Sequence, residues 1–225
     1  MTKHRSYKLM CPIARGLDRV GDRWTLLILR DLHAGPARFS DLQKGLTGIA
    51  ANLLTERLTK LVDDGLIAKQ TGDHGAALYA LTEMGRQTRN ILFELALLGG
   101  QFPLEGKAVE PGNVRTIAVT LGTACHRAIT TSTFGMYLKL EASIIVDGEV
   151  YTLSVRDRKA DMVQKRSDSP DLVLETSYAS MLALEEGEIT LQEFGDSHAE
   201  IEVFTSGKER DFNELMAAAL AQLQS

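Results

Sequence analysis

The chain has 225 residues, of which 44% are hydrophobic and 24% charged, with a net charge of −5. These values are typical of a globular protein, and the length suits two small domains. No apolar run approaches the roughly 18 residues of a membrane span, and the N-terminus lacks the apolar core of a signal peptide. Two cysteines do not make a disulfide framework of the kind found in small secreted domains. Together with the missing membrane span and signal peptide, this leads us to expect a cytoplasmic protein that binds no membrane.

The charge is divided unevenly along the chain. Residues 1–100 hold 14 Lys and Arg against 10 Asp and Glu, a net charge of +4, whereas the remainder carries −9. Only the first part has the sign that neutralisation of nucleic-acid phosphates requires. The segment 99–113, rich in Gly and Pro, predicts the connection between a domain at 1–100 and another at 110–225.

The first predicted elements are three helices. Pro12 suits the first turn of a helix whose apolar residues recur to Val20. A second apolar stripe covers 24–32, and a short helix is predicted at 39–46 with Ser40 as its cap.

A turn and a fourth helix follow. The pattern predicts a helix from about Ala51 to Asp64, ended by Gly65 in the left-handed conformation. Strands at 66–71 and 77–81 then flank a glycine-containing turn. This order is that of a winged helix-turn-helix, in which one helix enters the major groove and the hairpin reaches the flanking backbone.

The helix from Ala51 to Asp64 buries one face and offers the other to DNA. Asn52 suits adenine, Glu56 suits a cytosine amino group, and Thr55 suits a phosphate or a thymine methyl. Basic and polar residues around this helix suit backbone phosphates. The candidate DNA-binding residues are Arg38, Ser40, Asn52, Thr55, Glu56, Arg57, Lys60, Lys69 and His74. The competing interpretation is a solvated helix face, which we favour for Thr59 and Asp63.

A helix over 83–98 closes the first domain. Its apolar residues Ile91, Leu92, Leu95 and Leu98 exceed what one small domain covers. This excess predicts a dimer interface or a docking face for the second domain.

The second domain is predicted to be α+β, with an antiparallel sheet covered by helices. The β-rich runs are 116–122, 136–146, 149–157, 159–166, 171–177 and 199–204. Helices are expected at 178–186, around 191–193 and at 212–223.

Aromatic and methionine side chains of this domain are candidates for an apolar pocket. They are Phe134, Met136, Tyr137, Met162, Tyr178, Met181, Leu182 and Phe194, and the competing interpretation is plain core. His126 and His198 have no partners at metal-ligand spacing, so no metal site is expected. Without a nucleophile–base pair or a phosphate-binding glycine loop, we expect neither a cofactor nor an enzyme.

The first hundred residues resemble the HxlR family of bacterial regulators, which are relatives of the MarR type. The resemblance rests on Cys11-Pro12 and on the runs 21–32, 35–46, 53–67 and 81–86. It implies a homodimer that binds a palindromic operator on double-stranded DNA. Family members commonly cap the recognition helix with Ser or Thr, where this chain has Ala50 and Ala51.

The second domain resembles sterol-carrier-protein-like modules. The matching parts are the sheet, the run 171–195, the strand to Phe204 and the terminal helix. This resemblance implies an apolar tunnel for a fatty acyl or sterol-like effector.

Alternative functions remain open. Cys11 lies among Arg and Lys residues near a helix N-terminus, an environment typical of reactive thiols, and the resemblance implies redox sensing there. Free cysteines are, however, more often small buried hydrophobes. The chain could instead be a carrier of lipid or small apolar ligands whose first domain serves protein contacts, or an oxidoreductase or transferase that uses the pocket.

Overall fold

The computed structural model describes residues 6–72, 75–102 and 113–224. They form two compact units, Met1–Thr88 and Arg89–Ser225. The sequence places the boundary at 100–110, and the difference is one helix, α6 (Thr88–Gly100), which continues into the second unit. No described helix is long and apolar enough to cross a membrane.

The first unit begins with α1 (Pro12–Val20) and α2 (Thr25–His33). Cys11 is the N-cap of α1, and Pro12 occupies its first turn as predicted. The Asp22 carboxylate accepts the backbone N–H groups of Trp24 and Thr25 at 3.0 and 3.1 Å, so it satisfies donors at the start of α2. Helix α2 then buries Ile28, Leu29 and Leu32 in the core.

The helix-turn-helix pair is α3 (Phe39–Gly45) and α4 (Ala51–Asp63). Ser40 is not the cap of α3: Arg38 holds that position, and its backbone N–H donates to the Asp41 carboxylate at 3.1 Å. A carboxylate three residues after the cap bonds back to it, so the cap lies two residues before Ser40 and the helix begins at Phe39. After α4, Gly65 adopts φ +71°, and its predicted left-handed conformation is confirmed.

The wing is an antiparallel hairpin of β1 (Ile67–Thr71) and β2 (Ala77–Leu81). Ala37 exchanges two backbone hydrogen bonds with Tyr79, of 3.0 and 2.8 Å, so the segment before α3 extends this sheet. The hairpin is thereby fixed against the helices.

The predicted helix over 83–98 is divided into α5 (Glu83–Arg86) and α6. Thr82 Oγ1 caps α5 by accepting the Gly85 N–H at 3.1 Å. At the break, Thr88 Oγ1 donates to the Gly85 carbonyl at 2.7 Å. In a continuous helix this carbonyl would accept a backbone N–H group, and here a side-chain hydroxyl takes the place of that donor.

The second unit opens with a helix where the sequence suggested a strand. Residues 116–122 belong to α7 (Thr116–Thr131), so the predicted strand is wrong. Ile117, Ala118, Val119 and Leu121 are all buried. A helix buried around most of its circumference lacks the amphipathic period, and its β-branched residues therefore resemble a buried strand.

The sheet has the order β5-β4-β3-β6-β7. Its strands are β3 (Leu140–Val146), β4 (Glu149–Arg156), β5 (Lys159–Val163), β6 (Leu172–Thr176) and β7 (Ala199–Val203). The prediction of a wholly antiparallel sheet is wrong, because β3 and β6 pair in parallel. The segment 164–171 carries the chain from the edge strand β5 to the far side of β3, and a crossover of this kind sets β6 parallel to β3.

The remaining helices are α8 (Tyr178–Glu185), α9 (Leu191–Glu193) and α10 (Lys208–Leu223). Helix α7 packs on β5 and on α10, and α10 also contacts β3. A π-helical turn, Phe194–His198, links α9 to β7, and a 3-10 turn, Phe134–Met136, follows α7. Helix α10 begins four residues before the predicted Phe212, after Gly207 at φ +82°.

Candidate functional site

The first candidate site is the outer face of α4. Leu54, Leu58 and Leu61 anchor the helix because each is 0–1% exposed. The opposite face carries Asn52, Thr55, Glu56 and Thr59, all exposed. A buried leucine stripe therefore holds a polar surface of four side chains in a fixed orientation.

The threonine hydroxyls on this face form hydrogen bonds within the helix, whereas the asparagine amide does not. Thr55 Oγ1 donates to the Ala51 carbonyl and Thr59 Oγ1 to the Thr55 carbonyl, both at 2.9 Å. Among the residues that the structure describes, no hydrogen bond engages the side-chain amide of Asn52. An amide in this condition can form two hydrogen bonds to one base edge without first breaking an internal contact.

Two of the basic residues predicted to contact DNA are held inside the first unit. Arg57 Nε lies 3.0 Å from Asp22 Oδ1, and its Nη1 lies 2.9 Å from Glu56 Oε1. Lys60 Nζ donates to the Asp18 carbonyl at 2.9 Å. Both side chains connect α4 to the segments before it. The spacing of residues along α4 cannot predict these contacts, because it contains no information on other parts of the chain.

The other predicted phosphate contacts are on the surface. Arg38, Ser40 and Lys69 are exposed. Lys69 Nζ lies 5.9 Å from the centre of the Tyr79 ring, a cation–π distance, and still faces solvent. His74 lies outside the described residues. The structure thus keeps Arg38, Ser40, Lys69, Asn52, Thr55 and Glu56 accessible.

The two cysteines have opposite environments. Cys11 is exposed, and Cys125 is fully buried in α7. Burial raises the pKa of the Cys125 thiol to about 12, although Arg89 acts in the other direction. Cys125 is therefore a buried core thiol in its protonated form, and Cys11 is the accessible one.

The second candidate site is a cavity of about 660 Å³ within the second unit. Its volume falls in the range of small-molecule sites. The wall is formed by α6, α7, α8, α10, the sheet and the α9 region. The apolar lining is Ala96, Ile117, Leu121, Ile144, Leu174, Met181, Leu182, Leu184, Leu191, Phe194, Ile201, Phe212, Met216, Leu220 and Leu223.

Half of the predicted pocket residues line this cavity. Tyr178, Met181, Leu182 and Phe194 are in its wall. The other four are outside it: Met162 is buried beside Gly122 of α7, and Phe134, Met136 and Tyr137 lie in or next to the 3-10 turn, with Tyr137 85% exposed.

Three carboxylates in the cavity wall, Glu185, Asp196 and Glu209, are not among the pocket residues predicted from the sequence. The predicted pocket residues are aromatic and aliphatic side chains, and none of them is charged. Burial, and secondarily Glu186, raise the pKa of Glu185 above its usual range. The signal in the sequence was the acidic run Glu185, Glu186 and Glu188 directly after an apolar helix.

Helix α6 is fastened to α7 by two arginines. Arg89 Nε donates to Thr123 Oγ1 at 2.8 Å, and burial lowers the pKa of this guanidinium, partly opposed by Asp161. Arg127 stacks on the Phe93 ring at 4.3 Å and pairs with Glu94 at 2.8 Å. These contacts hold α6 so that Ala96 and Gly100 reach the cavity wall.

The two histidines of the second unit have local contacts. His126 Nδ1 accepts the Ala160 N–H at 3.3 Å, and His198 Nδ1 lies 3.4 Å from Ser180 Oγ. Burial, followed by Arg89, lowers the pKa of His126. Within residues 6–72, 75–102 and 113–224, no group of three His, Cys, Asp or Glu side chains is arranged to hold a metal ion.

Comparisons with known proteins concern the N-terminal part of the chain. A sequence model described as HxlR-like helix-turn-helix matches residues 19–105. An HTH-type transcriptional regulator of Mycobacterium tuberculosis is 38% identical over 92 residues, which cover 40% of this chain and 58% of that protein. This chain therefore spans less than two thirds of the mycobacterial relative. A Synechocystis regulator is 31% identical over 103 residues, covering 45% of this chain and 76% of its own length.

Among solved structures, the reduced form of the transcriptional regulator YodB from Bacillus subtilis matches with a TM-score of 0.38 and 28% identity, covering 44% of this chain and all of that one. YodB itself is 29% identical in sequence over 103 residues, which cover 92% of its length. The winged-helix order of the first unit and the extent of the Synechocystis match lead to one conclusion: this chain belongs to the HxlR-like helix-turn-helix family of DNA-binding transcriptional regulators.

Proposed function

We propose that the protein binds a palindromic operator as a homodimer and that an apolar ligand in the second unit modulates this binding. The exposed face of α4, anchored by buried leucines, is the observation that carries the proposal. Two α4 helices related by a two-fold axis would enter successive major grooves about 34 Å apart.

Base reading is assigned to Asn52, Thr55 and Glu56 of α4. Asn52 offers a free amide to an adenine, and Glu56 can accept from a cytosine amino group. Arg38, Ser40 and Lys69 are exposed and would hold the backbone phosphates on either side.

A second copy of the chain would cover the apolar face of α6. Ile91, Leu95 and Leu98 follow helical spacing and are 52, 48 and 51% exposed. Such a stripe is costly in water, and two copies would bury it against one another. Size-exclusion chromatography with light scattering should give a dimer, and Leu95→Glu should give a monomer.

Helix α6 supports the coupling of ligand to DNA. Its first residue, Thr88, bonds to His33 Nε2 of α2 at 3.1 Å, and its later residues Ala96 and Gly100 line the cavity. A ligand that favours one position of α6 would change DNA affinity by its preference between the two states.

The test uses the full-length protein to select bound fragments from a pool of DNA of random sequence, so that the operator need not be known beforehand. Repeated selection should enrich one palindromic sequence, and fluorescence anisotropy then measures its affinity. Asn52→Ala should weaken binding to this sequence by about 1–3 kcal/mol and relax the base at one position of each half-site. Gln87→Ala, an exposed amide outside α4, is the matched control and should change nothing.

The same selection separates this proposal from its rivals. A lipid carrier that uses its first unit for protein contacts alone would enrich no sequence. Equal affinity of the wild-type protein and Asn52→Ala for the enriched sequence would refute the base-reading role of Asn52.

Redox sensing through Cys11 is the second candidate function. The exposure of Cys11 at the N-cap of α1 favours it, because an oxidant can reach an exposed cysteine sulfur. Treatment with diamide should then produce a dimer on a non-reducing gel and change DNA affinity. Cys11→Ser should abolish both effects, whereas persistence of either would exclude Cys11 as the sensor.

A further inference from the structure

One wall of the cavity in the second unit is helix α8, whose side chains are only partly buried or exposed. Its sequence, YASMLALE, is largely apolar, yet none of its eight residues is buried. Helix α10, on another side, buries Phe212, Leu215 and Ala219. Tyr178, Met181, Leu182 and Leu184 of α8 line the cavity and are only partly buried. An apolar ligand body in the cavity would cover this apolar surface.

The charges of the wall have a single sign. Its charged residues are Glu185, Asp196 and Glu209, and no Lys, Arg or His belongs to the lining formed by the described residues. The neighbouring Lys208 is already engaged, because its Nζ donates to the Lys139 carbonyl at 2.6 Å and to Asp211 at 2.9 Å. The described wall thus supplies negative charge without a matching cation.

Glu185 is the carboxylate placed to act on a ligand. It is the last residue of α8, where the helix dipole is already negative, and Glu186 and Glu188 follow it. It is the least exposed of the three wall carboxylates, since Asp196 and Glu209 are exposed. A positive group beside Glu185 would offset both the dipole and the neighbouring carboxylates.

We propose that the cavity binds a lipophilic cation, a molecule with an apolar body and one positively charged nitrogen, with Glu185 as the counter-charge. This proposal rests on the proposed ligand-sensing function and names the chemical class of its ligand. The apolar body lies against α8 and α10, and the cationic nitrogen lies at the end of α8. A fatty acid would bring a carboxylate toward three others, and a neutral sterol would leave Glu185 unpaired.

Three probes of equal chain length test the proposal on the full-length protein. Dodecyltrimethylammonium, dodecanol and dodecanoate, each below its micelle concentration, are titrated by calorimetry. The cation should bind at least about tenfold more tightly than the carboxylate. Glu185→Gln should lower the affinity for the cation by about tenfold and leave that for dodecanol unchanged or improved. Glu188→Gln, an exposed residue outside the lining, should change neither affinity.

The outcomes distinguish the ligand class from the ligand-sensing function. Equal or tighter binding of dodecanoate would overturn the ligand class and leave a ligand-sensing cavity in place. Unchanged cation affinity in Glu185→Gln would overturn the role of Glu185. Absence of binding by all three probes would overturn ligand sensing as well, whereas DNA selection tests the regulator independently. Met181→Trp, which places a bulkier side chain in the cavity wall, should weaken binding of both the cation and dodecanol, with circular dichroism reporting its fold.

Discussion

Arg57 Nε lies 3.0 Å from Asp22 Oδ1, and this ion pair joins α4 to the residues that precede α2. The same Asp22 oxygen accepts the N–H groups of Trp24 and Thr25. Both charged side chains are only about a quarter exposed, at 21 and 25%. Arg57, a predicted DNA contact, is therefore also part of an ion pair within the helix-turn-helix unit.

We expect Asp22→Ala to lower the free energy of unfolding of the first unit by about 1–2 kcal/mol, because it removes the acceptor of two backbone N–H groups at the start of α2 and the partner of Arg57. Arg57→Ala should cost less, and the double variant should cost less than the sum. Trp24, the only tryptophan of the chain, reports the transition by fluorescence in urea. Asp63→Ala, on the exposed side of α4, should stay within about 0.5 kcal/mol of the wild type, and additive losses at positions 22 and 57 would refute the coupling.

The salt dependence of DNA binding should distinguish two lysines. Lys69 is exposed on the wing, whereas Lys60 is bonded to the Asp18 carbonyl. Since each phosphate contact contributes about one to the slope of log affinity against log salt, Lys69→Ala should reduce that slope by about one per protomer. Lys60→Ala should leave the slope unchanged. A reduced slope for Lys60→Ala would show that this side chain leaves Asp18 to bind phosphate.

Gly85 and Gly16 should respond oppositely to alanine. A Cβ at Gly85 would overlap the Leu66 carbonyl oxygen, so α5 would have to move away from the wing. We expect a loss of about 2–4 kcal/mol in the unfolding free energy of the first unit. At Gly16, inside α1, a Cβ meets nothing within 4 Å, and alanine should stabilise by up to about 1 kcal/mol. Equal effects in urea titrations would contradict the close approach at Gly85.

The sequence predicts the first unit well because each of its helices has one apolar face. The leucines of α4 recur at helical spacing, and the left-handed Gly65 follows directly from the need to end that helix. The tertiary partners were not predictable: nothing near Arg57 or Lys60 in the sequence indicates Asp22 or the Asp18 carbonyl.

The second unit is less predictable because its central helix and its crossover carry no local signal. α7 is apolar around most of its circumference, so Ile117 and Leu121 were assigned to a strand and left out of the pocket. Ala96 and Gly100 were assigned to the other domain. The cavity therefore emerges only once α6, α7 and α8 are assembled. Its carboxylates come from three separate elements: Glu185 ends α8, Asp196 lies in the π-helical turn and Glu209 lies in the first turn of α10.

Thiol labelling should separate the two cysteines. Cys11 is exposed and should react with iodoacetamide at the rate of an accessible thiol, while Cys125 is buried and its thiol pKa of about 12 keeps it protonated at neutral pH. Mass spectrometry should find one label on the folded protein and two in denaturant. Cys11→Ser should show no label until it unfolds. Native labelling of Cys125 would place α7 outside the core.

The carboxylate of Glu185 should make the second unit less stable as the pH rises. Burial and Glu186 raise its pKa in the folded protein, so the folded state holds this proton more tightly than the unfolded state does. The stability contribution is favourable below the folded pKa and is lost as the pH rises from the ordinary glutamate pKa of about 4.3 through the raised one. Glu185→Gln should therefore melt higher than the wild type at pH 7 in calorimetry and at the same temperature below pH 4.

The control for this comparison is Glu188→Gln, which removes a charge from the same acidic run at an exposed position. It should change the melting temperature at pH 7 by less than Glu185→Gln does, because solvent screens its charge. If the two variants melt alike at pH 7, net charge rather than the cavity environment sets the effect. If Glu185→Gln alone is stabilised, the buried carboxylate costs stability in the empty cavity. A bound cation should then raise the melting temperature of the wild type by more than that of this variant at the same cation concentration.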